Sequence, residues 1–342
     1  MAEVTIKGAG IIGLSIAWEC MQRGARVQVI DPNGIGAGSS GGIVGALAPH
    51  VPENWNAKKE FQFQSLIMAE EFWQSADRIS EISSGYARTG RLQSLPDEAG
   101  LTLALKRGEN AKTLWQGRAL WDVMDQPPEW APPSPTGNWI YDTLSAHIHP
   151  QKTVASLAMA IRKSGGEIYT NAPDSGRVIW VAGAWDLYRI SEHLGKNFGN
   201  GVKGQAVLFK YDKRNRPQIF ADTLHFIPHL DGTLAVGSTS EREFTDPTST
   251  DEQLDTVIER ACQIIPDLKT APIVARWAGV RPRSKSRAPI LGVHPLNPTE
   301  FIANGGFKIG FGMAPKIAQV MADLVLDNHD HIPSDFRTDK NF

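Results

Sequence analysis

The stretch from Met1 to Asp31 constrains the fold more than any other. Val4-Thr5-Ile6-Lys7 reads as a short strand, and Gly8-Ala9-Gly10-Ile11-Ile12-Gly13 follows without a gap. Leu14 to Arg23 carries helical spacing, Gly24 stops it, and Arg26 to Ile30 reads as a second strand closing on Asp31. A strand, a G-x-G-x-x-G turn, a helix and a strand ending in an acid predict a dinucleotide-binding unit. Gly8 permits the tight turn, Gly10 lets a pyrophosphate approach the backbone, and Gly13 lets the helix lie close on the sheet. The free N–H groups of the helix N-terminus then face phosphate charge. Asp31 stands 18 residues beyond Gly13, where a carboxylate accepts from ribose hydroxyls. An acid there argues against a 2′-phosphate, and so against NADP. NAD and FAD both remain open on this pattern.

The rest of the composition narrows the class. With 342 residues the chain has room for two domains. Hydrophobic content of 41% and charged content of 21% are those of a soluble globular protein. A net charge of −2 gives no reason to expect a polyanion binder. No apolar run approaches the roughly 18 residues of a membrane span. The nucleotide unit begins almost at Met1, so no cleaved leader is expected. Cys20 and Cys262 fall in helical patterns and read as buried thiols in a reducing compartment, the cytoplasm.

Beyond Asp31 runs a glycine-rich stretch, Pro32 to His50, with apolar pairs at Ile43-Val44 and Ala46-Leu47 that a mere linker does not need. Ala57 to Ile82 predicts an amphipathic helix burying Phe61, Leu66, Ala69, Phe72 and Trp73. A strand over Gly90–Leu95 and a helix over Asp97–Arg107, capped by Asp97, come next. Gln126 to Gly137 is a proline-rich loop. Trp139 to His149 reads as a strand leading into a helix, Pro150 to Lys163. Glu167–Thr170 and Arg177–Trp185 read as further strands, the second ending in a glycine turn. A βαβ pattern resuming this late predicts a discontinuous nucleotide domain over 1–84, 145–190 and 280–342. Residues 85–144 and 191–279 form the inserted domain. In the latter the period shifts to two over Val202–Phe209 and Gln218–Ser238, with a hairpin at Asp231-Gly232. Thr250–Ile265 predicts a helix, Ile273–Val280 and Glu300–Ala303 strands, and Pro315–Leu326 a closing helix. The fold class is α/β: a Rossmann-like domain with an inserted substrate domain built on a mixed or antiparallel sheet.

Seven motifs in order give the chain a family resemblance. They are the fingerprint with Asp31, the small-residue loop Gly36–Pro49, and Val178–Trp185. Val202-Lys203-Gly204-Gln205 follows, then His225-Phe226-Ile227-Pro228 with Asp231–Gly237. The last two are Trp277–Pro282 with Ala288–Gly292, and Gly305–Gly310 running into Ala314-Pro315. In these the chain resembles the D-amino-acid oxidase superfamily of FAD enzymes, and within it glycine oxidase. The resemblance implies non-covalent FAD rather than NAD, and a large mixed sheet whose outer face helps form the substrate site. It implies cofactor contacts at Gly8, Gly10, Ile12, Gly13 and Asp31. It adds the loop residues Ser39, Ser40, Gly45, Ala46 and Leu47, then Gly183, and lastly Gly306, Phe307, Ile309 and Gly310. The closing helix, expected to start near Pro315, would aim its positive end at the flavin C2 carbonyl, where reduced flavin is negative.

The chemistry implied is hydride transfer from an amine α-carbon to flavin N5, giving an imino acid that hydrolyses. The residue such a site needs most is a carboxylate anchor, and Arg281 matches the family's arginine; a guanidinium holds a carboxylate with two parallel hydrogen bonds. Two positions depart from glycine oxidase: His225 stands where a tyrosine is usual, and Lys308 replaces a second arginine. Both are candidates for the site, and glycine itself as the preferred substrate is put in doubt. The implied partners are a small amino acid of the glycine, sarcosine or D-amino-acid type and oxygen or another electron acceptor; self-association stays open. A tRNA side-chain oxidase and an electron-passing flavoprotein subunit are the alternatives. Five cations between Arg276 and Arg287 support the first, but the overall charge opposes it and nucleic acid is not expected. His50 reads as loop surface. His147-x-His149 and His329-x-His331 lack a third ligand in pattern, so no metal is expected. The Asn171–Gly176 link is shorter than relatives carry, which leaves the adenine pocket undefined.

Overall fold

The computed structural model describes residues 1–342. Its opening unit is β1 (Val4–Lys7), α1 (Ile11–Gln22) and β2 (Val27–Ile30), with the two strands parallel and Val4 opposite Val27. α1 is buried along most of its length, which accounts for the apolar run Ile11 to Trp18 being apolar on every face. The glycine-rich stretch contains β3 (Ala46–Leu47) and leads to α2 (Ala57–Ser80). Asn56 caps α2 by accepting from the Lys59 N–H, and the five residues expected inside are buried.

Then follow β4 (Arg91–Ser94), α3 (Glu98–Leu114), β5 (Trp121–Met124), β6 (Trp139–Asp142), β7 (Ala146–His147) and α4 (Pro150–Lys163). Asp97 caps α3 as expected, accepting from the Gly100 N–H at 2.7 Å. The helix runs past Arg107, however, because one interior glycine costs only about 1 kcal/mol and Ala111 is buried beyond it. The single strand expected over Trp139–His149 is two, β6 and β7. After β8 (Glu167–Tyr169) and β9 (Arg177–Trp180) comes α5 (Gly183–Leu194). The glycine turn expected there is instead the start of this helix, whose buried Ala184, Leu187 and Ile190 recur at helical spacing. β10 (Gly199–Phe209), β11 (Gln218–Ala221), β12 (Leu224–Pro228), β13 (Leu234–Gly237) and α6 (Glu252–Ile264) lead to β14 (Ile273–Ser284). β15 (Ile290–His294), β16 (Asn297–Asn304) and α7 (Gly310–Asp327) close the chain.

Two sheets organise these elements. The first has the order β15-β16-β9-β1-β2-β8. β9 returns beside β1, with Val4 opposite Arg177, so its central strands come from distant parts of the chain. α1, α4 and α7 pack together on it and share one large core with α2. The second sheet has the order β14-β10-β13-β12-β11-β4-β6-β5. Strand alternation divides its residues cleanly. One face, with Leu92, Val207, Ile219, Phe226 and Val236, packs on Leu254, Val257 and Ala261 of α6. The register puts Arg91, Phe220, His225, Gly237, Trp277 and Arg281 on the other face. No helix is long and apolar enough to cross a membrane.

Candidate cofactor and substrate cavity

A cavity of about 1150 Å³ is lined by both sheets, more than the usual 300–1,000 Å³ of a small-ligand site, roughly speaking. At one end lie Gly8, Gly10, Ile12 and Asp31. The capping residue of α1, Gly10, has no side chain and the first turn has no acid, so the dipole is left without a negative charge of its own. A Cβ added to Gly10 would stand 3.1 Å from Ser40 Oγ, crowding the turn where a phosphate would approach. Asp31 Oδ2 accepts from the Ala9 N–H at 2.8 Å and Oδ1 from the Asn33 N–H at 2.9 Å, which holds the carboxylate at the cavity wall. Gly13 does not line the cavity. It lies behind the turn, where a Cβ would fall 2.0 Å from the Gly8 carbonyl oxygen.

The glycine-rich loop forms the next part of the wall. Ser39, Ser40, Gly45, Ala46 and Leu47 all line it, and Ser40 Oγ accepts from the Ile11 N–H at 2.9 Å, tying loop to fingerprint. Gly183, Gly306, Phe307, Ile309 and Gly310 line it as well. α7 starts at Gly310 rather than near Pro315, with Ile309 in the capping position. Pro315 lies in its second turn, where the absent N–H leaves the Phe311 carbonyl without its usual partner. The uncapped, acid-free N-terminus therefore opens on the cavity five residues earlier than expected. These features fit FAD: two helix N-termini, an acid and a glycine-lined wall face one elongated space.

The far end is the open face of the eight-stranded sheet. Arg281 lies within β14 rather than at its end, because β14 is an edge strand paired only with β10. The Pro282 carbonyl points to the open edge, where it accepts from the Phe307 N–H at 3.0 Å, so the missing proline N–H breaks no ladder. The same bond brings Lys308 to the cavity beside Arg281. The Arg281 guanidinium lies against Gly204, where a Cβ would fall 1.9 Å from Nη1. Nη2 donates to Ser238 Oγ at 2.7 Å and Nη1 to the Thr239 carbonyl at 3.4 Å. Burial lowers its pKa to about 10, so it stays charged at neutral pH. His225 faces the same cavity with Nδ1 unpartnered. Burial, then the charges of Arg91 and Lys308, push its pKa to about 3, so the ring is neutral.

Arg91, Phe220 and Gln62 are among the lining residues that the sequence does not single out. Arg91 donates through Nε to Asp142 Oδ2 at 2.9 Å in a buried ion pair. An arginine beside buried Leu92 in a strand was the available signal; the β4–β11 pairing that aims it was not. His50 is a correction, since it lines the cavity instead of the loop surface. Gln62 Oε1 accepts from its backbone N–H at 2.7 Å and also meets the ring Nδ1. Burial lowers the His50 pKa.

The remaining motifs stand elsewhere. His147 and His149 gather with His229, ring centroids 6.4 and 4.5 Å from it, and no three-ligand metal group exists in the chain. Cys20 is buried and Cys262 half-buried, both free. The basic run does not form a stripe: Arg276 pairs with Asp255 on α6, while Arg281 points into the cavity. The short link before β9 is held by a Lys7–Asp174 ion pair at 2.6 Å, and Thr170 and Asn171 line the cavity mouth with Trp180 and Trp185.

Known proteins share this fold. The glycine oxidase of Pseudomonas putida is 27% identical over 363 residues, covering 94% of each chain. The solved structure of glycine oxidase from Geobacillus kaustophilus superposes with a TM-score of 0.81 at 21% identity, covering 98% of both chains. That of iminodiacetate oxidase from Chelativorans sp. BNC1 gives 0.82 at 20% identity over 98% of both. The family described as FAD dependent oxidoreductase matches residues 3–324, and with nearly its whole length inside that match the chain belongs to this family and uses FAD.

Proposed function

We propose that the protein oxidises a small amine bearing a carboxylate next to the reacting carbon, of the glycine, sarcosine or D-amino-acid kind. The observation that carries the reading is Arg281: a half-buried guanidinium on the cavity face, oriented by Ser238 and Thr239 and without an ion-paired carboxylate of its own. A fixed, charged fork with spare N–H groups is the donor set a substrate carboxylate needs. Relatives named glycine oxidase over nearly the full chain support the same class.

Bound FAD supplies the acceptor for the hydride of the α-C–H bond. The fingerprint, Asp31 and the Ser39–Leu47 wall would hold its nucleotide part, and the α7 N-terminus would face the ring. Arg281 fixes the substrate by its carboxylate, which sets the α-carbon at a constant place. Neutral His225 leaves the amine side of the pocket without a competing proton donor of low pKa. Phe220 and Trp277 add aromatic surface to the cavity wall at this end. The imine formed leaves and hydrolyses to an oxo acid and ammonia or a primary amine, with electrons passing on to oxygen or another acceptor. Residues 1–84, 145–190 and 280–342 would act as the cofactor-binding part and the remainder as the substrate-binding part, except that β14 runs across the 280 boundary and carries Arg281 on the substrate sheet.

The test is anaerobic titration of the FAD-loaded protein with glycine, sarcosine, and the D- and L-forms of alanine and aspartate. Loss of the visible flavin absorption with one of them is the expected result. A fully loaded protein that none of them bleaches overturns the reading.

A further inference from the structure

The backbone alone gives no reason for a glycine at position 204. Gly204 stands inside β10, opposite Gly279 of β14, and is not among the glycines of positive φ. Glycine weakens a strand interior, and the close approach of another group is a common reason to find one there. The three atoms nearest to a Cβ at Gly204 are Nη1, Nη2 and Cζ of Arg281, at 1.9, 2.1 and 2.2 Å. The other glycines of β10 differ. A Cβ at Gly199 would meet the Arg283 carbonyl oxygen, and one at Gly201 would meet Val280 and the Tyr188 hydroxyl. At Gly204 the guanidinium takes the place of the missing side chain.

The strand beneath the guanidinium is pinned from its other face. Lys203 and Gln205 alternate with Gly204, so they point to the α6 side, as Val207 does, and both are buried. Gln205 Nε2 donates to Asp251 Oδ1 at 2.7 Å and to Glu241 Oε1 at 3.1 Å, and its Oε1 accepts from the Asp251 N–H at 2.9 Å. Lys203 Nζ lies 3.7 Å from Glu241 Oε2 and 3.6 Å from Asp251 Oδ2. The Gln205 N–H donates to Thr239 Oγ1 at 2.8 Å, and the carbonyl of the same threonine accepts from Arg281. A methyl group at Gly204 would therefore displace the free end of a flexible side chain and not the strand.

Resting on the reading of Arg281 as carboxylate anchor, we infer that Gly204 is a positioning residue. The space left by its absent side chain fixes how deep the guanidinium lies, and so where a substrate carboxylate and the α-carbon behind it come to rest. This gives the Val202-Lys203-Gly204-Gln205 motif a division of work: Lys203 and Gln205 hold the strand, and Gly204 seats the anchor.

Acetate, a carboxylate with no amine to oxidise, is titrated calorimetrically into the FAD-loaded protein, and kcat/KM is measured with the amino acid that bleaches the flavin. Gly204→Ala should weaken acetate binding by about 10-fold, because the displaced fork loses its preset order. It should lower kcat/KM by roughly 100-fold through misplacement of the α-carbon. The apoprotein should unfold near the parent's temperature, since only a side-chain end has to move. On an Arg281→Met background the same change should leave kcat/KM within about twofold, because its effect passes through the guanidinium. Unchanged acetate binding and kcat/KM in Gly204→Ala overturn the inference, as does an equal loss on both backgrounds. If the single variant unfolds, thermal unfolding on the Arg281→Met background decides: recovered stability supports the inference and a persistent loss overturns it. If no amino acid bleaches the parent's flavin, the amine-oxidation reading fails, and the acetate titration alone decides the role of Gly204.

Discussion

The two ends of the cavity are built in opposite ways. At the fingerprint end the wall is mostly backbone and small side chains, supplied by Gly8 to Ile12, Asp31 and the loop Ser39–Leu47. At the sheet end it is large side chains, from β4, β11, β12 and β14 and from the loop after β16. A backbone wall follows from local rules: a turn, a helix start, the absence of a Cβ. A side-chain wall follows from register, because one residue of slip would send Arg91, His225 and Arg281 to the α6 side. The first end is therefore intolerant of bulk, and the second of changes in charge.

The sharpest way to break this contrast is at Gly13. Its Cβ would meet the Gly8 carbonyl at 2.0 Å, backbone against backbone, with Ile6 at 3.2 Å. Gly13→Ala should cost about 3 kcal/mol or more of stability, as an overpacked position that no rotamer can relieve. Thermal unfolding of the apoprotein reads it without any contribution from FAD. A variant as stable as the parent would show that the turn is not held by close packing of α1 on β1.

Arg281 tests the other end. Arg281→Ala should lower kcat/KM by about 2–4 kcal/mol through loss of a charge-assisted pair. Arg281→Lys should raise KM strongly, since a point charge replaces the fork. FAD retention should change little in either, because the residue stands on the sheet face away from the fingerprint. Unchanged kcat/KM in both variants would remove the carboxylate anchor, and loss of flavin would erase the contrast between the ends.

That contrast also explains what could be read beforehand. The β1-α1-β2 unit, the cap at Asp97, and the hairpin at Asp231-Gly232 are local, and each stands where the residues predict. α5 was missed because Gly183 punctuates the chain like a turn, although Ala184, Leu187 and Ile190 carry the helical period behind it. The α7 start was displaced by weighting Pro315 as an N1 residue, whereas Gly310 begins the helix. Arg281, His225 and Lys308 were found through a resemblance, not through periodicity. Their company in one cavity depends on pairing between strands far apart in sequence. Arg91 shows the limit: its place depends on β4 lying parallel to β11, and nothing within Arg91–Ser94 encodes that neighbour.

Between the two ends, β7 pairs with β3 and sets His147 opposite Ala46. His147 is fully buried with both ring nitrogens unpartnered. Around it stand His149, His229 and, at 3.6 Å from His149, Asp231, itself bonded to Lys152. Burial pushes the His147 pKa to about 4, against about 6.5 in an unfolded chain. Between those values the unfolded state takes up a proton that the folded state refuses, so stability falls as pH falls. Its share of the loss is about 1.4 kcal/mol one pH unit below the free value. His225 and His229, with pKa values pushed to about 3 by burial first, act in the same direction. His147→Leu removes one such group and leaves no polar atom unsatisfied. The variant should gain more stability at pH 5.5 than at pH 8, with denaturant unfolding at both pH values as the measurement. Equal gains at the two pH values would mean that His147 does not titrate on unfolding, and that the ring is paired where the two strands meet.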